Sequence, residues 1–357
     1  MSGPGRAQDL LTSLLREVSR SFYLTLRVLP AAIRAQIGLA YLLARATDTI
    51  ADTEIVPVNE RLAALAALRA RILGHTSAPL DFRRFAEGSG GEAAGAAKEG
   101  GTGGASDSER VLLARIEEAL AVLGAFEVED RRRINAVLET ITGGQELDLR
   151  RFGGASERAI TALSRAEELE DYTYRVAGCV GEFWTRMCRA HLFPRASLDD
   201  ARLLANGIRF GKGLQLVNIL RDLPKDLRTG RCYLPAPELA AGGLTPADLL
   251  APANEARLRP VYNRWLERAE EHLAAGWEYT NTLPRSQIRL RLACAWPVLI
   301  GQQTLRRLRV GNVLDPAGRI KITRAEVRTI VAQTVLRYPF AGAWRRLGET
   351  GAPAKTG

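Results

Sequence analysis

Cysteine and histidine are scarce in this 357-residue chain, with four of the first and three of the second. Cys179, Cys188, Cys232 and Cys294 form no Cys-x-x-Cys pair, which argues against zinc and thioredoxin-type chemistry. His75, His191 and His272 are scattered, which argues against a histidine metal site or a Ser-His-Asp triad. No apolar run approaches the ~20 residues of a transmembrane helix. The opening Met-Ser-Gly-Pro-Gly-Arg-Ala-Gln-Asp lacks the apolar core of a signal peptide. A cytoplasmic chain with reduced cysteines is therefore expected. Alternating strand patterns, repeats of fixed period and a Gly-rich Rossmann fingerprint are absent as well.

What is present is helical periodicity and arginine. Hydrophobic residues make up 46% of the chain and charged residues 25%, the composition of a globular protein with a large core. The net charge of +10 suits an anionic partner such as a diphosphate, a nucleotide, a lipid headgroup or nucleic acid. It equally describes a solvated Arg-rich surface. Apolar spacing predicts helices over 10–27, 31–53, 59–73, 109–126, 129–148, 164–190, 198–221, 253–282, 286–309 and 324–347. Ser164-Arg-Ala-Glu167 and Thr323-Arg-Ala-Glu326 read as capping boxes, Ser197 as an N-cap, and Thr245-Pro246 as an N-cap followed by proline. Residues 86–107 are dominated by Gly, Ala, Ser, Glu and Lys, too polar to offset their ordering entropy, and predict a disordered surface insertion. The expectation is all-α, a single domain over residues 1–350 around a central apolar cavity, with a flexible tail at 351–357.

Two acidic motifs interrupt apolar helices. Tyr41, Arg45, Asp48 and Asp52 fall at helical spacing, so Asp48 and Asp52 share a face. Two carboxylates at i,i+4 repel unless a cation lies between them; the alternative is a surface ion pair between Arg45 and Asp48. Gln215, Asn218 and Asp222 line up in the second motif, beside Arg221 and ahead of Asp226. Amide and carboxylate oxygens form an all-oxygen set that suits Mg2+ against a diphosphate. A polar network between packed helices is the alternative. Pro224 removes an amide donor and is expected to kink or end this helix, displacing Asp226. Gly178, Gly181, Gly207, Gly211 and Gly213 permit close approach of a ligand or of a neighbouring helix. Tyr172 can relay a proton or face a cation; it equally suits a buried tyrosine bonded to a carbonyl.

In this order the segments resemble the squalene/phytoene synthase family of head-to-head prenyltransferases. The segments are Ser19-Arg-Ser-Phe22, Tyr41-x3-Arg45-x2-Asp48-x3-Asp52, Tyr172-x5-Gly178-x2-Gly181, and Gln215-x2-Asn218-x2-Arg221-Asp222-x3-Asp226 leading to Gly230-Arg-Cys-Tyr233-Leu-Pro235. The resemblance spans roughly residues 15–330, apart from the insertion. It implies an isoprenoid synthase-type helical bundle, a transferase, and two farnesyl diphosphates as substrates. Asp48, Asp52, Asn218, Asp222 and Asp226 are then the magnesium ligands. Ser19, Arg20, Ser21, Tyr41, Arg45, Gln215 and Arg221 are the diphosphate contacts, and Tyr172 handles the proton lost at ring closure of presqualene diphosphate.

The resemblance divides at the second step. Squalene synthases quench the last cation with hydride from NADPH, whereas phytoene and dehydrosqualene synthases lose a proton. Arg319-Ile-Lys321-Ile-Thr-Arg324 resembles the basic segment that squalene synthases use for the nucleotide. This makes Lys321 and Arg324, with Arg20 and Arg45, the expected NADPH contacts and squalene the expected product. Thr323 is also explained as a cap. Ala51 stands where animal and fungal squalene synthases carry an extra carboxylate, and the polar C-terminus differs from their membrane anchor. A bacterial-type enzyme is expected, with transient membrane contact for product release and no nucleic-acid partner.

Overall fold

Apolar residues recurring every three or four positions wind most of the chain into α-helix. The structure is a computed structural model and describes residues 9–19, 23–87, 105–318 and 320–349. Arg20, Ser21, Phe22, Arg319, the centre of the Gly-rich insertion (88–104) and the tail from 350 onward lie outside the described residues. The chain divides into two compact units, residues 1–27 with 31–153, and residues 28–30 with 154–357.

In the first unit a π-helical turn (Leu10–Leu14) runs into α1 (Leu15–Ser19), followed by α2 (Tyr23–Val28) and α3 (Ala31–Asp52). Then come α4 (Val58–Ile72), α5 (Arg83–Glu87), α6 (Asp107–Ala114), α7 (Ile116–Ala125) and α8 (Val128–Phe152). α3 packs on α8. Leu39, Leu42, Leu43, Ala46 and Ile50 are buried on the former, and Ile134, Leu138, Ile141 and Leu149 on the latter. Each such leucine or isoleucine contributes roughly 1.5–3 kcal/mol through burial. Buried Arg61 of α4 donates from Nη1 to the Ala51 carbonyl (2.7 Å). One carbonyl orphaned at the end of α3 is thereby satisfied, one residue from Asp52.

The second unit contains a short parallel strand pair that sequence patterning did not reveal, β1 (Thr161–Leu163) and β2 (Arg231–Pro235). Its helices are α9 (Ala166–Thr173), α10 (Cys179–His191), α11 (Asp200–Arg228), α12 (Ala236–Ala241), α13 (Glu255–Thr282), α14 (Ile288–Val310), α15 (Arg324–Arg337) and α16 (Ala341–Glu349), of which α9, α11 and α12 pack on the strand pair. α11 carries buried residues around much of its circumference and packs on α10, α13 and α14. Gly181 of α10 meets Gly207 of α11 so closely that a Cβ at 181 would stand 1.9 Å from the Gly207 carbonyl oxygen. A Cβ at Gly211 would stand 2.1 Å from the Ala177 carbonyl oxygen. Of the two reasons weighed for these glycines, close helix packing is the one the contacts support.

Three details of the helices differ from expectation. The long helix expected over 164–190 is broken by a π-helical turn at Tyr174–Gly178. Its N-cap is Arg165, with the Ser164 amide donating to Glu168 (2.7 Å) in place of a capping box. The N-cap of α11 is Asp199, whose side chain accepts from the Arg202 amide, in place of Ser197. The capping box at Thr323 and Glu326 forms as expected.

The larger correction concerns Pro224. α11 continues through it to Arg228 and keeps Asp226 on the helix. Proline deprives the Leu220 carbonyl of its intrahelical donor. The hydroxyl of Tyr262, fully buried on α13, supplies a replacement at 2.9 Å. Asp222 and Asp226 therefore stand at i,i+4, as Asp48 and Asp52 do.

Candidate active site

On α3, Arg45 lies one turn before Asp48, with Nη1 and Oδ2 3.9 Å apart. The stronger partner of Arg45 is Glu109 of α6, which accepts from Nε at 2.9 Å and also from Nη2. Glu109 is oriented in turn by the Ser106 amide, which donates to its other oxygen at 2.8 Å. Asp48 Oδ1 accepts from Nε2 of Gln145 on α8. Burial first, and the Asp52 carboxylate one turn on second, push the Asp48 pKa up to about 7. The Asp48 side chain nonetheless keeps 43% of its surface accessible, so it is recessed but open. The upward direction follows from the like-charged neighbour whatever the degree of desolvation. Asp52 is exposed, Tyr41 half-buried, and Ser19 buried at the end of α1. Ser19 Oγ has no hydrogen-bond partner among the described residues.

On α11, Arg221 grips its neighbour Asp222 with two bonds, Nε to Oδ1 at 2.9 Å and Nη2 to Oδ2 at 2.6 Å. That bond, with the charges of Asp222 and Asp226 behind it, raises the guanidinium pKa. Asn218 is exposed, whereas Gln215 and Asp226 are partly buried. The helix ends in a left-handed Gly230 (φ 84°), where a Cβ would stand 2.2 Å from the Ser156 amide nitrogen. Only glycine adopts that turn without strain. The turn delivers β2, and β2 carries Tyr233.

Tyr233 stacks on Tyr172, with ring centroids 4.8 Å apart and planes 23° apart. The Tyr233 hydroxyl donates to the Tyr172 hydroxyl at 3.3 Å. Lys321 and Arg324 are exposed at the start of α15, where the Lys321 carbonyl accepts from Arg307.

Sequence reasoning named Asp48, Arg45 and Tyr172 as site candidates but not the side chains bonded to them, Gln145, Glu109 and Tyr233, the last of which it quoted only within a motif. Gln145 carried a signal: it is a polar residue, 6% exposed, on the apolar face of α8. Glu109 had one too, standing three residues after Ser106 at a helix start.

Donor chemistry decides which metal the site suits. Among the described residues, no three His, Cys, Asp or Glu side chains gather as a metal cage. That leaves paired carboxylates, and Mg2+ is ordinarily held by one or two carboxylates completed by substrate phosphates and water. The Asp48–Asp52 pair fits that requirement.

The sequence profile of squalene/phytoene synthases matches residues 15–326. The presqualene diphosphate synthase of Rhodopseudomonas palustris is 27% identical over 317 residues, covering 88% of this chain and 92% of its own. The 15-cis-phytoene synthase of Enterobacter agglomerans is 35% identical over 148 residues, covering 41% of this chain and 45% of its own. Such phytoene synthase matches span less than half of those relatives' length. TcSQS, solved in complex with a ligand, shares the fold with a TM-score of 0.76 at 20% identity, covering 98% of this chain and 94% of its own. With its profile match, its helical fold and its two aspartate helices, the chain belongs to the squalene/phytoene synthase family of head-to-head prenyltransferases.

Proposed function

We propose that this enzyme joins two farnesyl diphosphates head to head through presqualene diphosphate and reduces that intermediate to squalene. The observation that carries the first half is the Asp48–Asp52 pair. Two carboxylates one turn apart, one of them raised to about 7, are a ground state that a divalent cation relieves. Asp48 and Asp52 on α3, and Asn218, Asp222 and Asp226 on α11, are the proposed magnesium ligands. Bound there, Mg2+ would neutralise charge on the departing diphosphate.

The chain's own residues do the rest. Arg45, Arg221, Gln215, Tyr41 and Ser19, with Arg20 and Ser21, hold diphosphate oxygens. The orphaned Ser19 Oγ suits a donor that meets its acceptor only in the substrate. Glu109 holds Arg45, and Gln145 holds Asp48, each by hydrogen bonding. Tyr172 takes part in moving the proton lost at ring closure, with the Tyr233 hydroxyl bonded to its oxygen. The exposed Lys321 and Arg324, with Arg20 and Arg45, are the proposed contacts of NADPH, which would supply hydride to the last cation.

A second reading has its own support. One relative that matches along nearly its whole length is a presqualene diphosphate synthase, which favours an enzyme that stops at that intermediate. Incubation with farnesyl diphosphate and Mg2+, with and without NADPH, separates the readings. Squalene formed only with NADPH supports the first, and presqualene diphosphate in both tubes supports the second. Phytoene or dehydrosqualene as sole product overturns the reductive step.

A further inference from the structure

The second unit holds a cavity of about 100 Å³ at the junction of α13, α14 and α16, lined by Asn281, Arg285, Arg291, Tyr338, Trp344 and Arg345 together with Ala341. We propose that this cavity is an oxyanion site that takes a phosphate group, from free phosphate or from a lipid headgroup.

Three arginines, Arg285, Arg291 and Arg345, line the cavity, and among the described residues no carboxylate pairs with any of them. Arg291 is the anchor. It is 5% exposed, and its buried Nε has no hydrogen-bond partner among the described residues. Its other nitrogens are held in place: Nη1 donates to the Leu283 carbonyl at 3.3 Å and Nη2 to Asn281 Oδ1 at 3.0 Å. The same Asn281 oxygen accepts from Trp344 Nε1 at 2.8 Å. The guanidinium carbon lies 5.6 Å from the Tyr338 ring centre and 5.4 Å from that of Trp344. These rings offer cation–π attraction without neutralising the charge.

Burial, with Arg285 and Arg345 nearby, lowers the Arg291 pKa, the direction expected of a cation short of a counter-ion. Arg285 is tied to the rim by donation to the Pro339 carbonyl at 3.0 Å, while the Tyr338 hydroxyl donates back to the Arg285 carbonyl at 2.7 Å. Arg345 is exposed and leaves its fork open. α16 begins at Ala341 on the cavity wall, so the positive end of its dipole adds to the three charges. Planar forks match phosphate oxygens in pairs. The volume has room for a phosphate group and is well below the ~300 Å³ at which drug-sized ligand pockets begin. Nearby Leu336 and Phe340 are 72% and 66% exposed, a surface that makes a lipid headgroup a natural source of that phosphate.

The test uses the full chain in EDTA, which removes magnesium-held phosphate; Arg45 and Arg221 are the same in every protein compared, so any phosphate they bind cancels between variants. Inorganic phosphate is titrated by calorimetry, and flotation is measured with phosphatidylglycerol and with phosphatidylcholine vesicles. Arg345→Gln and Arg291→Lys are compared with Arg346→Gln, which removes the same charge one residue outside the lining. Saturable phosphate binding that weakens at least ten-fold in the first two variants and not in the third supports the site with a free anion. Flotation on phosphatidylglycerol alone with the same variant pattern supports it with a headgroup. No binding in either arm, or equal loss in Arg345→Gln and Arg346→Gln, overturns the proposal and leaves only a diffuse basic surface.

Discussion

The hydroxyl of Tyr262 donates to the carbonyl oxygen of Leu220 at 2.9 Å, the carbonyl that Pro224 leaves without a donor. This single bond from α13 lets α11 run past its proline and keeps Asp226 one turn after Asp222. Removing the hydroxyl leaves a buried carbonyl unsatisfied. Tyr262→Phe is expected to destabilise the protein by about 1–3 kcal/mol, read by chemical denaturation. If Asp226 binds magnesium, the same variant also weakens Mg2+ affinity. A variant with unchanged stability removes the role assigned to this bond.

The glycines of the second unit are packing residues by the geometry of their neighbours. Gly181→Ala would drive a methyl group to 1.9 Å from the Gly207 carbonyl oxygen, backbone that cannot step aside. A loss of about 1–3 kcal/mol or more is expected. Gly124 of α7 is the control, since nothing lies within 4 Å of the place its methyl group would take. Gly124→Ala should stabilise by ~0.5–1 kcal/mol through helix propensity. Melting temperatures moving in the same direction for both would contradict this assignment.

Asp48 links the site to pH. Its folded pKa, about 7, lies above the ordinary value of 3.8. The raised value favours the folded state below pH 3.8, and that advantage is lost as pH rises through about 7. Metal-free protein should therefore lose stability across this window, and Asp48→Asn should flatten the dependence. Mg2+ needs the ionised form, so its affinity should rise with pH up to about 7 and then level off. Gln145 hydrogen-bonds the carboxylate and lowers its pKa. Gln145→Leu should move the midpoint of Mg2+ binding upward, as calorimetric titration on both sides of neutrality would show. An unmoved midpoint would remove Gln145 from the site.

The stacked tyrosines divide their labour. Tyr172→Phe removes the hydroxyl proposed to handle the proton, and formation of presqualene diphosphate should fall by about 100-fold or more. Tyr233→Phe keeps the stacked ring and removes only the donor to Tyr172, so a smaller loss is expected. Single-turnover rates with farnesyl diphosphate compare the two. An equal or larger loss in Tyr233→Phe would reverse the assignment.

The fold class was legible because helical periodicity is a local property, written in residues three and four apart. So were Asp48, Asp52 and Asp222, since charge on an apolar helix is conspicuous. Their holders were not. Gln145 reaches Asp48 from 97 positions away, and a contact of that range leaves no pattern in one sequence. Pro224 misled for the same reason: the local rule ends the helix, and the remedy comes from Tyr262, 42 positions on from Leu220. The strands β1 and β2 are three and five residues long, too short to show alternation. The glycines were legible as sites of close approach, and only the neighbouring backbone showed what approaches.

The function proposed for this enzyme rests on paired aspartates that bring about magnesium-dependent loss of diphosphate from farnesyl diphosphate. Diphosphate release is therefore to be measured against Mg2+ concentration, for the natural chain and for Asp48→Asn. Release should require Mg2+ and fall at least 100-fold in the variant, whose melting temperature without metal is unchanged or higher. Release at the natural rate from a folded Asp48→Asn protein, or release that ignores Mg2+, would contradict the role given to the pair.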